Sequence, residues 1–445
     1  MSRDKKLKTR ILEALSNTDL RTNLRKALKT TNTKREKVIS KSPDWERWRT
    51  EARAVKQDVL SRWSHYLTMF SNRAEENGMK VHWATDAGEA CVIIRGIARS
   101  NGARLVVKSK SMLTEEIDLN TFLEGEGIEV VETDLGEFVA QISGERPSHI
   151  VAPIIHKSKS EVIEVYSDKL GSPPLETAEE ITAYTRKLLR EKFLSADIGI
   201  TGANFGLAEE GTVVIVENEG NVRLCSTLPR VHVIVMGIER LIPSLSELPV
   251  FLRLLTGSAT GQSITNYVSL IKSPRLEREK DGPDEVHLVL VDNGRSRIYQ
   301  DPDLREILHC LRCGACLNVC PVYERVGGHT YGWVYPGPIG SVVAPLLTEE
   351  PALEELPFLS TLCGRCREVC PVKIEIEKLL VRLRQRVVGG GRRNILERTA
   401  FRIFSFFATS PVSYRVIEKS TRALLRYPSG VSFHKLWKKR QRSSE

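Results

Sequence analysis

The chain has 445 residues, of which 41% are hydrophobic and 27% are charged. This length allows two or three domains with cores of their own, and the proportions of hydrophobic and charged residues exclude a disordered or fibrous protein. The net charge of +10 is concentrated in residues 386–445, which contain 14 Lys and Arg against 3 Glu, while the rest of the chain has 52 basic and 53 acidic residues.

The N-terminal region, residues 1–78, is predicted to be helical and rich in Lys, Arg and Glu. One of its segments carries an apolar stripe at helical spacing, which we interpret as a packing face: Trp48, Ala52, Val55 and Val59. The turn at residues 42–44 supplies an N-cap for this helix.

Short runs of β-branched residues alternate with helix-like segments between residues 79 and 300. The strand candidates are 103–107, 128–131, 149–152, 198–200, 212–216, 232–236 and 287–291. Helical periodicity occupies the segments between most of them, as at 89–99 and 177–194. This alternation predicts an α/β domain with a largely parallel sheet covered by helices.

Two loops of this domain come at strand ends. Residues 201–212 contain three glycines, and residues 217–221 are polar and acidic. Ordinary turn chemistry explains both loops. The alternative is a small-molecule or partner site, because open α/β sheets bind ligands at the ends of their strands.

Seven of the nine cysteines fall between residues 310 and 370, in two motifs. The first motif, C-x2-C-x2-C-x3-C-P, is the run found in bacterial ferredoxins, where three cysteines bind one iron-sulfur cluster and the fourth binds the other. The small residues Gly314 and Ala315 tolerate the tight wrap of backbone that this spacing requires. The motif comprises Cys310, Cys313, Cys316, Cys320 and Pro321.

The second motif has the same spacing, but Ser360 stands where its first cysteine would be. With the usual crossing of motifs, the first cluster has four thiolates: Cys310, Cys313, Cys316 and Cys370. The second cluster has three: Cys320, Cys363 and Cys366. The fourth ligand of the second cluster could be the Ser360 oxygen, water or another residue. Alternatively, the fourth position is empty in a three-iron cluster.

Other uses of these cysteines explain the pattern less well. Zinc would suit two C-x2-C pairs, but it leaves the x3-C-P extensions unexplained. Disulfides are disfavoured because nothing in the sequence indicates export. Cys91 and Cys225 lie outside the cluster and are interpreted as buried thiols.

The segment between the motifs, residues 327–340, is rich in Gly, Pro and aromatic residues, which predicts a packed loop. His329 within it is a candidate ligand, with a structural or surface role as the alternative. We expect a ferredoxin-type domain at 301–385 and a basic helical tail at 386–445.

The tail contains an amphipathic segment, 395–407, suited to a partner or an anionic membrane surface, with packing against the ferredoxin-type domain as the alternative. No zinc-finger spacing or RNA-binding aromatic motif predicts a nucleic-acid partner. The charged N-terminus and the absence of an apolar run of about 20 residues lead us to expect a cytoplasmic protein, at most peripheral to the inner face of the membrane.

Several segments, together with the cysteine arrangement, resemble the lactate utilization protein B family. They are residues 131–138, 148–157, 201–209, 218–221 and 227–233. The resemblance implies a LUD domain at 79–300, with a fold similar to CoA-transferases and ribose-phosphate isomerases. It also implies a helical ferredoxin domain after it, with two 4Fe-4S clusters. The same seven cysteines are the ligands that the family implies.

The family also implies a function, as the iron-sulfur electron-transfer subunit of a complex that oxidises L-lactate to pyruvate and allows growth on lactate. Its implied partners are a cysteine-rich subunit and a second LUD protein, and a partner rather than this chain would bind the substrate. Two alternatives remain open: an electron-transfer subunit for glycolate or another 2-hydroxy acid, and a LUD-type ligand-binding redox sensor.

Overall fold

The structure, a computed structural model, describes residues 6–348 and 350–389, together with residues 399, 402–405, 409 and 415. The chain divides into two units, Met1–Leu383 and Arg384–Glu445. Most of the predicted amphipathic segment at 395–407, and most of the basic tail, lie outside the described residues. The predicted domain boundaries at residues 78, 300 and 385 stay predictions.

The charged N-terminal region folds into four helices: α1 (Leu7–Ser16), α2 (Thr18–Ser40), α3 (Trp45–Ser61) and α4 (Trp63–Glu76). The predicted apolar stripe on α3 packs inward, with Ala52 and Val59 buried and Trp48 and Val55 partly buried. The stripe is therefore a packing face, as its spacing predicted.

Ten strands follow: β1 (Lys80–Ala84), β2 (Leu105–Lys108), β3 (Glu129–Glu132), β4 (Ile198–Gly202), β5 (Phe205–Leu207), β6 (Thr212–Glu217), β7 (Val231–Gly237), β8 (Leu241–Ile242), β9 (Tyr267–Ile271) and β10 (Glu285–Val291). Six form a parallel sheet in the order β1-β10-β7-β4-β2-β3, and four form a second sheet in the order β8-β5-β6-β9. The predicted parallel sheet is confirmed.

Nine helices accompany the strands: α5 (Ala87–Ser100), α6 (Met112–Glu116), α7 (Leu119–Gly125), α8 (Leu135–Ile142), α9 (Lys159–Leu170), α10 (Ala178–Ser195), α11 (Asn221–Thr227), α12 (Leu248–Ala259) and α13 (Arg295–Tyr299). Side chains alternate across the sheet: Val233 and Val235 of β7 join one hydrophobic cluster, and Ile234 and Met236 join another. Both faces of the sheet are thus covered, which explains the continuous apolar runs of its strands.

Two predictions about this region were wrong. Residues 149–152 form a bend rather than a strand, because Nδ1 of His149 accepts hydrogen bonds from the backbone N–H groups of Val151 and Ala152, both at 3.0 Å. The loop predicted at 201–212 contains the short strand β5, which pairs with β6.

The cysteine-rich region is built from short helices: α14 (Ala315–Asn318), α15 (Tyr323–Val326), α16 (Gly337–Leu347), α17 (Arg365–Glu368) and α18 (Ile376–Gly389). Short 3-10 helices occur at Ile238–Arg240, Arg305–His309, His329–Tyr331 and Pro351–Phe358. The insert at 327–340 is largely buried, as predicted, but it is only partly a loop, because it contains the 3-10 helix His329–Tyr331 and the start of α16. None of the helices within the described ranges has the length and apolar character that a membrane span requires.

Gly199 and Gly96 should respond in opposite ways to replacement by alanine. A Cβ atom on Gly199 in β4 would lie 1.7 Å from the carbonyl oxygen of Cys225, so Gly199→Ala forces α11 away from the sheet and should lower the free energy of unfolding by about 3 kcal/mol. A Cβ on Gly96 in α5 meets no atom within 4 Å. Gly96→Ala should therefore raise the free energy of unfolding by about 0.5–1 kcal/mol, because alanine favours the helix more than glycine does. Denaturant unfolding measures both, and equal effects would contradict the packing described here.

Candidate metal centre

The first cysteine motif wraps its backbone tightly around Cys313. Arg312 and Gly314, on either side of it, have positive φ angles of 58° and 74°. The N–H of Arg312 lies 3.3 Å from Sγ of Cys310 and donates to it. The turn therefore brings backbone amides to the sulfur atoms, which is what a metal-bound thiolate requires.

The second motif repeats this backbone around Cys363. Leu362 and Gly364 have φ angles of 54° and 81°. The N–H of Leu362 donates to Oγ of Ser360 at 3.1 Å, as the N–H of Arg312 does to the Cys310 sulfur. Ser360 thus takes the position of a first cysteine in local geometry as well as in sequence.

Four cysteines from the two motifs line one small cavity: Cys310, Cys313, Cys316 and Cys370. Burial raises the pKa of the Cys313 thiol to about 12 and that of the Cys370 thiol to about 11. The backbone N–H of Ile374 donates to Sγ of Cys370 at 3.3 Å. The cysteines that line this cavity are the four that the crossed arrangement of motifs predicts for the first cluster.

The other three cysteines interact with one another, and their group reaches the surface. Burial, the Glu377 carboxylate and Cys320 raise the pKa of Cys366 to about 12. Cys320 is buried, whereas Cys363 is exposed. A hydrogen bond from the backbone N–H of Arg365 lowers the pKa of the Cys363 thiol.

These residues fit an iron-sulfur cluster. All nine cysteines are free thiols in the structure. Cys91 and Cys225 are buried, as predicted, and lie outside both groups. His329 lines neither group; its Nε2 lies 2.8 Å from the carbonyl oxygen of Arg146, a structural contact.

The structure contains a second feature next to the first cysteine group, a cavity of about 300 Å³. Residues that follow β2, β3, β4, β7 and β10 line it, together with both loops singled out in the sequence, 201–212 and 217–221. Leu311, Arg312 and Cys313 border this cavity and also the cysteine cavity. The turn interpretation of the two loops is therefore incomplete, because they form walls of one cavity.

Charged groups of both signs line this larger cavity. Partial burial and the nearby Asp134 carboxylate raise the pKa of Glu219 to about 7. Burial alone would favour the neutral acid of Glu239, but the guanidinium groups of Arg295, Arg240 and Arg312 lower its pKa to about 2.

Comparison with known proteins agrees with this architecture. The LUD domain family matches residues 67–291, and the 4Fe-4S dicluster domain family matches residues 306–374. Lactate utilization protein B of Bacillus velezensis is 45% identical over 414 residues, covering 93% of this chain and 87% of that protein. The chain belongs to the lactate utilization protein B family.

Other members of the lactate utilization protein B family are similarly close. The Bacillus subtilis protein is 45% identical over 93% of this chain and 86% of its own length. The Lysinibacillus sphaericus protein is 44% identical over 92% of this chain and 86% of its own length. The crystal structure of a DUF162 family protein from Deinococcus radiodurans aligns with 51% of this chain and 97% of its own, at 13% identity and a TM-score of 0.29. The predicted family, and a LUD domain followed by a ferredoxin-type region, are confirmed.

Sequence reasoning missed the arginines by which the N-terminal helices of this family member contact the cysteine motifs. Nη2 of Arg35 donates to the carbonyl oxygen of Val369 at 3.2 Å. Nε and Nη2 of Arg49 donate to the carbonyl oxygen of Cys370 at 3.0 and 2.8 Å. The sequence did indicate that Arg49 is buried, because it lies three residues before Ala52 and therefore on the buried face of α3.

His149 makes the stability of this protein depend on pH. Burial lowers its pKa to about 4. Nδ1 accepts two backbone N–H groups, which favours the neutral ring, whereas the hydrogen bond between Nε2 and Oδ1 of Asn318 at 3.0 Å acts in the opposite direction. The unfolded chain binds a proton near pH 6.5, so this contribution is complete above pH 6.5 and is lost as the pH falls to about 4.

His149→Asn should reduce the slope of unfolding free energy against pH in this window by about 1.4 kcal/mol per pH unit. An asparagine side chain can still accept the N–H groups two and three residues on. Denaturant unfolding at a series of pH values measures the slope. Equal slopes for the two proteins would show that His149 does not titrate on unfolding.

Proposed function

We propose that this chain is the iron-sulfur electron-transfer subunit of a complex that oxidises L-lactate to pyruvate. Two clusters would be bound, the first by Cys310, Cys313, Cys316 and Cys370, and the second by Cys320, Cys363 and Cys366. The observation that carries the proposal is the arrangement of the two cysteine groups. One surrounds a buried cavity and the other reaches the surface at Cys363.

When bound, iron-sulfur clusters accept and release one electron at a time. The chain's own residues supply the conditions for this. Buried side chains such as Ile339 and Ile374 line the first cysteine cavity and exclude water, and backbone amides donate to sulfur. The exposed Cys363 places the second group where a partner can approach. We propose a cysteine-rich subunit and a second LUD protein as those partners.

The lactate assignment is supported by the names of the relatives, and the electron-transfer role by the cysteine arrangement. Anaerobic purification followed by iron, acid-labile sulfide and EPR measurements tests the clusters. We expect about eight iron atoms per chain, or about seven if the second cluster has three irons. Near-stoichiometric zinc with no labile sulfide would refute the cluster proposal.

Deletion of the gene tests the substrate. Growth on L-lactate should be lost and should return when the wild-type gene is restored, while growth on glucose is unchanged. Unchanged growth on L-lactate, in a strain without a paralogue, would refute the lactate assignment. Loss of growth on glycolate alone would favour the other 2-hydroxy acids.

Ser360→Cys tests the fourth position of the second cluster. The Ser360 oxygen accepts the same backbone hydrogen bond as the Cys310 sulfur, so a cysteine there places a thiolate in the position of a ligand. The variant should keep its second-cluster EPR signal longer in air than the wild type, because thiolate binds iron-sulfur clusters better than oxygen does. Ser61→Cys, at an exposed position outside both motifs, is the control and should behave as the wild type. A faster loss of the signal in Ser360→Cys would contradict the proposed geometry.

A further inference from the structure

The larger cavity lies where parallel sheets bind ligands. Five of the six parallel strands contribute the residues that follow their carboxyl ends: Lys110 after β2, Asp134 after β3, Asn204 after β4, Arg240 after β7 and Arg295 after β10. Its volume of about 300 Å³ is that of a site for a small molecule. The second sheet closes it through β6 and the polar loop at 217–221.

One wall of the cavity has an excess of positive charge. Arg295 pairs with both Glu116 and Glu239, at 2.8 and 2.6 Å, and Arg240 lies 3.7 Å from Glu239. With Arg312, three guanidinium groups share these two carboxylates, so the carboxylates of this wall do not balance its positive charge.

Arg312 points to the class of ligand. Its Nε and Nη1 atoms are buried and have no hydrogen-bond partner among the described residues, although its guanidinium group lies 4.3 Å from the centre of the Tyr335 ring. Buried charged donors without an acceptor are costly. A carboxylate supplies both the acceptor and the compensating charge.

Acidic residues also line this cavity. Asp134 and Glu217 already accept backbone N–H groups, from Gly136 at 2.9 Å and from Val222 at 2.8 Å respectively. Glu219 accepts one from Leu135 through Oε2 at 3.2 Å, and its side chain is exposed at the edge of the cavity. A carboxylate oxygen here can accept a hydrogen bond from a ligand hydroxyl group.

We propose that this cavity binds a small hydroxycarboxylate, with its carboxylate group at Arg240 and Arg312 and its hydroxyl group towards Glu219. The ligand would then lie against Arg312 and Cys313, which also border the first cysteine cavity. This differs from the sequence-based expectation that a partner alone binds the substrate. The inference rests on the proposed function for the choice of ligands to test, and binding itself requires no electron transfer.

Isothermal titration of the anaerobically purified holoprotein tests the proposal, with L-lactate, propionate and lactamide as probes. L-lactate should bind, propionate should bind more weakly because it lacks the hydroxyl group, and lactamide should bind weakest because it lacks the charge. Arg240→Gln should weaken L-lactate binding by about tenfold to a hundredfold, as expected for the loss of a charged hydrogen bond. Arg230→Gln is the matched control, because Arg230 pairs with Asp284 outside the cavity, and it should bind as the wild type does.

Glu219→Ala keeps the proposal testable if Arg240→Gln fails to fold or to retain iron. This variant should lose affinity for L-lactate and keep its affinity for propionate. No heat of binding with any probe, or unchanged L-lactate affinity in both cavity variants, would overturn the proposal. The outcome is independent of the electron-transfer test: binding by a protein whose deletion leaves growth on lactate intact refutes the proposed function alone, and a growth defect without binding refutes this inference alone.

Discussion

Replacing Cys370 by alanine should remove the first cluster and leave the second in place. Cys370 is the one cysteine of the second motif that lines the cavity of Cys310, Cys313 and Cys316. Without its thiolate, three ligands remain around that cavity. We expect the variant to lose about four iron atoms per chain and the EPR signal of one cluster.

Two further variants make this result specific. Cys363→Ala removes a thiol of the other group, so it should abolish the complementary EPR signal and spare the one lost in Cys370→Ala. Cys225→Ala removes a buried thiol outside both groups and should leave the iron content unchanged. Loss of the same signal in Cys370→Ala and Cys363→Ala would show that the motifs do not cross, and that each binds its own metal.

Replacing Arg49 by methionine should destabilise the protein and loosen the first cluster. The Arg49 side chain is 10% exposed, and its Nη2 also donates to the carbonyl oxygen of Glu368 at 2.9 Å. Methionine keeps much of the aliphatic packing but leaves the carbonyl groups of Glu368 and Cys370 without these donors. The free energy of unfolding should fall by about 2–4 kcal/mol, because hydrogen bonds from charged groups contribute about 1.5–3 kcal/mol each and are not fully additive.

The matched control is Arg47→Met on the same helix. Arg47 is 69% exposed and forms an ion pair with Asp44 at 3.1 Å, so its replacement should change stability by less than about 0.5 kcal/mol. Iron release to a chelator, followed by absorbance, should be faster in Arg49→Met than in Arg47→Met. Equal release rates would show that the N-terminal helices do not support the cluster.

Local patterns in the sequence were sufficient for much of the fold. The β-branched runs at 232–236 and 287–291 predicted central strands because a strand covered on both faces has no polar side to interrupt it. The same reasoning failed at 149–152, where an apolar run bends because the His149 ring competes for backbone N–H groups. It also missed β1, whose alternation of polar and apolar residues is that of an edge strand.

The cysteine spacing predicted the four thiols that line the first cavity, and residues within a few positions of Cys313 and Cys363 set the tight turns around these two cysteines. Only the tertiary structure decided which group lies inside and which reaches the surface, and which arginines support them. Arg49 and Cys370 are 321 positions apart, and the walls of the larger cavity come from strands that are neighbours only in the folded sheet. Burial and unpaired charge are properties of such distant contacts, so no local pattern could specify them.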